Sequence, residues 1–309
     1  MTQILRIATR QSTLALWQAN YVRDLLLESN SELQIEIIGF TTEGDRNQRS
    51  PLSQIGGKGL FVKELELALL NGSADIAVHS MKDVPSELPA GLEIAVICER
   101  ADPRDALITR DGSTLKDFGS KASIGTSSLR RRLQLQQKLP HLDYLDLRGN
   151  VDTRIGKLDD GLYDGIILAT AGLSRLGLAD RISEIIPVNV CLPSAGQGAV
   201  GIECRSDDQP VKSVIAPLNH EDTKLCVTTE RAVTAQLGAN CTLPIAVYAD
   251  LQVGQISLHS FVSDQSGKTI LKRAAMGQRI DSLRIAEEVA SGLMSEGAAA
   301  LIADEGGQR

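Results

Sequence analysis

Short apolar runs alternate along the first half of the chain with longer stretches whose apolar residues recur every three or four positions. The pattern predicts a strand at Ile4–Thr9, a helix from Ser12 to about Glu28, a strand at Leu33–Phe40, a helix at Leu60–Leu70 and a strand at Asp75–His79. Strand and helix in turn are the rhythm of a mostly parallel sheet covered by helices. After the polar stretch Glu99–Asp105 the rhythm resumes. Ser123–Gly125, Tyr144–Leu147 and Gly165–Ala169 read as strands, with helices from about Ser128 to Lys138 and at Val151–Leu158 between them. Two α/β lobes follow from this. The short apolar strand Ala199–Glu203, after the glycine-rich Pro193–Gly201, is placed to return to the earlier sheet, so the chain crosses between lobes twice and makes a hinge.

From Asp222 to Leu237 the spacing of Leu225, Val227, Ala232, Val233 and Leu237 fits a helix. Beyond it lie three strand-like segments, Leu243–Ala249, Gln255–Val262 and Thr269–Ala275, with the turn Asp264–Gly267 before the last, and then a helix at Ser282–Met294. This third part reads as a small α+β domain. The charged, polar and glycine residues of Gly44–Gly57 read as a lid.

Composition narrows the function. The chain has 309 residues, 42% of them hydrophobic, enough at roughly 150 residues per domain for two or three domains with cores. One Trp, four Phe and four Tyr leave few stacking platforms for single-stranded nucleic acid, and the net charge of -7 means that any attraction for anions is local. No secretory signal and no run of about 20 apolar residues is visible, which predicts a cytoplasmic protein with no membrane partner. Five cysteines, Cys98, Cys191, Cys204, Cys226 and Cys241, are scattered without a C-x-x-C pair, and the four histidines lie at no metal-ligand spacing, so neither disulfides nor a metal site are expected.

The arginines carry the chemistry. Gly125-Thr-Ser-Ser-Leu-Arg-Arg-Arg132 ends a strand and starts a helix, where free backbone N–H groups and the helix dipole favour an anion. Taken alone, three successive arginines are a solvated helix face. Arg10, Arg148, Arg154 and Arg175, however, also stand at or just beyond the carboxyl ends of predicted strands, the edge where an open α/β sheet gathers its ligands. The planar guanidinium fork suits carboxylates. Asp83, in His79-Ser-Met-Lys-Asp-Val-Pro85, follows a strand at the same kind of edge and is placed either to handle protons or to satisfy loop amides. Lys82 is its ion-pair partner or a ligand of substrate.

Two glycine motifs mislead. Gly196-Gln-Gly-Ala-Val-Gly201 matches the dinucleotide pattern, but no strand precedes it and a strand rather than a helix follows. Gly56-Gly-Lys-Gly59 lacks the rest of a phosphate loop. Cys241, in a turn between helix and strand, is the most accessible of the thiols, and the other four fit buried positions.

Together these segments resemble the porphobilinogen deaminase (hydroxymethylbilane synthase) family. The resemblance rests on Arg6-Ile-Ala-Thr-Arg-Gln-Ser12, Gly56-Gly-Lys-Gly-Leu-Phe61, Ala77-Val-His-Ser-Met-Lys-Asp-Val-Pro85, Gly125-Thr-Ser-Ser-Leu-Arg-Arg131, Leu147-Arg-Gly-Asn-Val151 with Thr153 and Arg154, Leu192-Pro193 with Gly196-Gln-Gly198, and the Cys241 turn. It covers nearly the whole chain. One departure is Ala239-Asn240 before Cys241, where the family commonly has two glycines.

The resemblance implies an α/β fold of two periplasmic-binding-protein-like lobes with mixed, mostly parallel sheets, plus a small C-terminal α+β domain. The lobes fall at residues 1–98 with 199–216 and at 104–192, and the C-terminal domain at 221–309. It implies a transferase that deaminates porphobilinogen and joins four molecules of it head to tail on a dipyrromethane cofactor held through Cys241. Water then releases hydroxymethylbilane. Asp83 takes the catalytic role. The ligands of cofactor and substrate carboxylates are Arg10, Ser12, Lys58, Ser80, Lys82, Thr126, Ser127, Ser128, Arg130, Arg131, Arg148, Arg154, Arg175 and Gln197, with Lys58 and Phe61 at the lid end. No metal and no nucleic acid is implied, and the chain is expected to be a monomer. A two-lobed binding protein without catalysis would share the sheets but has no need of Asp83 or Cys241, and a thiol transferase acting on another substrate would carry no pyrrole adduct.

Overall fold

The computed structural model describes residues 4–46, 59–238 and 243–303. These fall in two compact units, Met1–Ala101 with Ala199–Lys224 and Asp102–Gly198 with Leu225–Arg309.

In the first unit the strands are β1 (Ile4–Arg10), β2 (Gln34–Phe40), β3 (Ile76–Ser80), β4 (Leu92–Ile97) and β10 (Val200–Arg205), in the order β2-β1-β3-β10-β4. β1 runs parallel to β2 and β3, while β10 is antiparallel to both of its neighbours. The sheet is therefore mixed and mostly parallel. Central strands of such sheets are covered on both faces and read as continuous apolar runs, and Ile7, Ala8, Ile76, Ala77 and Ile202 are fully buried. Helix α1 (Thr13–Ser29) starts where Ser12 Oγ accepts the Ala15 N–H at 3.3 Å, and it lays Ala19, Val22 and Leu26 on one face of the sheet. Val22 and Leu26 each contribute roughly 1.5–3 kcal/mol by leaving water, and the Ala19 methyl less. The short helix α2 (Glu43–Arg46) follows β2, and α3 (Lys63–Leu70) covers the other face with Leu65, Ala68 and Leu69.

The second unit contains β5 (Asp105–Thr109), β6 (Ser123–Gly125), β7 (Asp143–Leu145), β8 (Gly165–Ala169) and β9 (Glu184–Ile186), ordered β7-β6-β8-β5-β9. Here β5 is the antiparallel strand beside β8 and β9. The two five-stranded sheets thus repeat one plan, with the reversed strand fourth in line. Helices α4 (Leu129–Lys138), α5 (Val151–Asp159) and the six-residue α6 (Thr170–Arg175) follow β6, β7 and β8 respectively. After α7 (Gln209–Ile215) and α8 (Glu221–Gln236), an antiparallel sheet of β11 (Ile245–Gln252), β12 (Gln255–Ser263) and β13 (Ile270–Gln278) packs against α9 (Ser282–Ser295), and α10 (Ala298–Ala303) ends the described chain. Leu133 of α4, Leu192, Ala246 and Phe261 form a separate apolar cluster that ties this small sheet to the arginine-bearing helix.

The predicted strands and helices are present, two strands (Ser123–Gly125 and Gly165–Ala169) with the expected ends and the others with ends displaced by at most three residues. Gly196–Gly201 has no strand before it and runs into β10, as its context predicted.

Candidate functional site

In the first unit the carboxyl edge of the sheet collects Arg10, the last residue of β1, and Ser80, the last residue of β3. Arg10 is held rather than free. Its guanidinium forks onto Asp45, with Nε 3.1 Å from Oδ2, and lies 4.4 Å above the Phe61 ring. Burial pushes Asp45 up, but the hydrogen bond and charge of Arg10, with help from Thr42, outweigh it and hold the carboxyl below its usual range. The Phe61 ring lies so close to Gly44 that a Cβ there would stand 2.3 Å from it, which is why glycine is needed. Of the segment read as a lid, Gly44 belongs to α2; residues 47–57 and Lys58 lie outside the described residues.

Ser80 Oγ accepts 2.7 Å from Gln18 Nε2 of α1, and the chain then turns through the 3-10 segment Met81–Asp83. The turn is fixed on both sides, since Met81 N donates to Ala199 O and Val84 N to Met81 O. Asp83 rides on it, half-buried. Among the described residues its carboxylate accepts no hydrogen bond and enters no ion pair; Lys82 beside it is half-buried. Satisfying the amides of its own loop is therefore not what Asp83 does.

The second unit supplies the other group of candidates at the carboxyl edge of its own sheet. Ser128 caps α4 by accepting the Arg131 N–H. Thr126 Oγ1 accepts from Ser128 N, and Ser127 bridges to the Leu147 backbone through both N–H and C=O. These hydroxyls build the strand-to-helix turn. Arg130 and Arg131, only 4% and 6% exposed, converge on Asp105, the first residue of the reversed strand β5. Arg130 grips it end-on, Nη1 to Oδ2 at 2.7 Å and Nη2 to Oδ1 at 3.3 Å, and Nη1 also meets Leu192 O. Arg131 meets Oδ1 through Nε at 2.9 Å and Nη2 at 2.8 Å, and its Nη1 donates to Ile167 O. Gln197 Nε2 adds a bond to Oδ1 at 2.9 Å and Cys191 Sγ one to Oδ2 at 3.3 Å. The desolvation of Asp105 is overcome by the two arginine charges, so it stays ionised far below the ordinary carboxylate range. Burial, then the Asp105 charge, pushes the Cys191 thiol up to about 12, so it stays protonated.

The remaining arginines differ in kind. Arg154 Nε donates to Gly149 O and Arg175 Nη2 to Gly198 O, a carbonyl presented by a residue at φ +90 that only glycine adopts readily. The half-buried guanidinium of Arg148 has no hydrogen-bonding acceptor among the described residues; burial weakens its hold on the proton, with Asp146 acting the other way. Charge is out of balance here. Two buried guanidinium groups share one carboxylate, and Arg130 Nε and Thr170 Oγ1 are buried with no hydrogen-bond partner among the described residues. An arrangement with spare positive charge and unused donors fits a ligand that brings several carboxylates. Asp105, Gln134 and Glu230 were not among the sequence candidates. Gln134 exchanges bonds with the Leu192 backbone, and Glu230 accepts from Gly196 N at 2.7 Å and Ala249 N at 2.8 Å. Cys241 lies outside the described residues.

Residues 5–213 match the family model described as porphobilinogen deaminase, dipyromethane cofactor binding domain, and residues 224–295 match that of the porphobilinogen deaminase C-terminal domain. The chain belongs to the porphobilinogen deaminase family. With both domains of a porphobilinogen deaminase present, its function is that of a hydroxymethylbilane synthase, a transferase of tetrapyrrole biosynthesis. Among solved structures, the methionine-binding protein MetQ is 14% identical over 74% of this chain and 94% of its own, with a TM-score of 0.45. A YaeC-family pheromone precursor lipoprotein of Enterococcus faecalis is 12% identical over 72% and 94%, also with a TM-score of 0.45. The spare positive charge of the second unit agrees with a dipyrromethane, whose rings carry acetate and propionate groups. Among the described residues no cluster of His, Cys, Asp or Glu is arranged to hold a metal ion, and no helix is long and apolar enough to cross a membrane.

Proposed function

We propose that Asp83 is the group that moves protons during porphobilinogen deamination, and that the arginines of both sheet edges hold the carboxylates of cofactor and substrate. The observation that carries this reading is the Asp83 carboxylate: half-buried on a turn braced at Met81 and Val84, and engaged by no described side chain or amide. A carboxylate kept unspent in a braced position is what proton transfer requires.

Loss of ammonia from porphobilinogen breaks a carbon–nitrogen bond and needs a proton on the departing amine. It leaves a methylene-pyrrole with positive charge on the ring nitrogen. The amine leaves as ammonia from its protonated form, its N–H held by the Asp83 carboxylate; the same oxygens then face the ring nitrogen, stabilise its charge, and take up the α-carbon proton released when the rings are joined. Arg148, Arg154 and Arg175 at the second edge, with Arg131, bind carboxylates, Gln197 serves the same site by bracing Asp105, and Arg10, Ser12, Ser80 and Lys82 bind carboxylates at the first. Ser127, Ser128 and Thr126 hold the turn from which α4 presents its arginines. Lys58 belongs to the same binding set.

Cys241 is the point of covalent attachment through its sulfur. When bound, the dipyrromethane supplies the free α-carbon from which the chain is extended. Water is the second substrate. The reading includes a monomeric, cytoplasmic enzyme.

Intact-protein mass spectrometry tests it. The purified protein should carry the added mass of two linked pyrroles, colour with Ehrlich's reagent, and gain further pyrrole increments with porphobilinogen. Cys241→Ser should abolish every adduct. An unmodified mass after expression with porphobilinogen present would overturn the attachment.

A further inference from the structure

Asp105 stands out because it is not one of the groups expected to touch a ligand, yet it organises three that are. It is fully buried at the start of β5, where it pairs with Ala169 of β8 and Ile186 of β9. Its two oxygens receive Arg130, Arg131, Gln197 and Cys191, which arrive from the first turn of α4 and from the segment between β9 and β10. Nothing else described in that cluster is anionic. Cys191 stays a thiol and Gln134 and Gln197 are amides, so the cluster keeps one positive charge that Asp105 does not cancel.

The two arginines divide the work. Arg130 is spent inside, with Nη1 on Asp105 and on Leu192 O. Arg131 gives Asp105 the Nε side of its fork and Ile167 O one Nη1 proton, which leaves one N–H on each Nη. A guanidinium held by its Nε side presents its remaining edge in one direction.

We propose that Asp105 is a positioning residue: it aims the free edge of Arg131 at a ligand carboxylate, braced by Gln197, whose Nε2 bonds Pro103 O and Asp105, and it uses Arg130 as the internal counter-charge that fixes its own orientation. This rests on the carboxylate-binding role given to Arg131 above. Two carboxylates, one from the protein and one from the ligand, then balance two guanidinium groups. Arg131 without Asp105 keeps its charge but loses its aim.

The double variant Asp105→Asn with Arg130→Met separates aim from folding, because it removes one charge of each sign and keeps the cluster at one positive charge. Asp105→Glu keeps the charge and displaces it by one methylene. Each is compared with the parent protein in two assays. One follows cofactor-loaded enzyme, reading KM and kcat for porphobilinogen. The other uses a Cys241→Ser background, which carries no adduct, and reads the rise in melting temperature with succinate as a plain dicarboxylate probe.

The expected result is that both variants melt cooperatively, lose the succinate response, and raise KM about tenfold to a hundredfold with a smaller change in kcat. A folded double variant with the parental succinate response and unchanged KM overturns the proposal and leaves Asp105 a purely structural residue. A parent protein that does not respond to succinate overturns it as well. If the parent responds to succinate but does not consume porphobilinogen, the functional reading falls while the role of Asp105 stands for another carboxylate.

Discussion

His79 Nε2 lies 2.9 Å from Glu203 Oε2 in the interior of the first unit, diagonally across the adjacent strands β3 and β10, with both residues almost wholly buried. Glu66 of α3 shares their surroundings. Its burial, and then the Glu203 charge, raise its carboxyl to about 7, with His79 opposing. Because the folded state holds the proton more tightly than the unfolded chain does, this contribution to stability is fully present below about pH 4.5 and is lost as pH rises to about 7.

Glu66→Gln mimics the protonated acid and should flatten that dependence. Urea unfolding at pH 5 and pH 8 should show the variant gaining on the parent protein by up to about 3 kcal/mol between the two. Equal pH dependence in the two proteins would mean that Glu66 is ionised in the fold.

Asp83 has no structural partner among the described residues, so its loss should cost chemistry and not stability. Asp83→Ala is expected to melt with the parent protein while turnover of porphobilinogen falls by roughly 100- to 10,000-fold. Initial rates and a melting curve on the same preparation decide it, and near-normal turnover would remove Asp83 from proton transfer.

Arg148 makes the same argument for binding. Without an acceptor to lose, Arg148→Ala should keep the parental melting temperature. Cofactor assembly or chain elongation should be impaired, seen by mass spectrometry as missing adducts or as stalled pyrrole increments. Unchanged kinetics would return Arg148 to the solvated surface.

Glu230 predicts the reverse. It is fully buried and caps two amides, Gly196 N and Ala249 N, from one side chain. Glu230→Ala leaves both without that partner and should destabilise the second unit by about 2–4 kcal/mol in chemical unfolding, well before any effect on substrate affinity is considered.

The alternation of apolar runs and amphipathic stretches was enough to place most strands and helices, because parallel strands covered on both faces and helices covered on one leave clear periods in the sequence. The edge of each sheet was legible for the same reason: a residue that ends a parallel strand is at the ligand edge wherever the helix goes. What was not legible is what each edge residue meets. Arg130 and Arg131 read as a surface triplet or as ligands, since charged residues are seldom buried, and the carboxylate that permits their burial lies 25 and 26 residues earlier, at the end of the polar stretch Glu99–Asp105. Asp105 itself reads as loop because a strand that begins on a charge breaks the apolar pattern. Glu230 and Gln134 sit inside helix periods and give no local sign that they bond to distant backbone. The pairing of Arg10 with Asp45 and the unspent state of Asp83 and Arg148 likewise depend on contacts that spacing does not encode.

The reversed fourth strand of the first sheet also has a consequence in time. Val200 pairs with Ser80, 120 residues further along the chain, and the same strand separates β3 from β4. During synthesis β3 and β4 therefore emerge long before the strand that fills the gap between them, with apolar edges open. The first unit cannot close its sheet until β10 has left the ribosome, so the turn that carries Asp83, bonded to Ala199, is set late in folding.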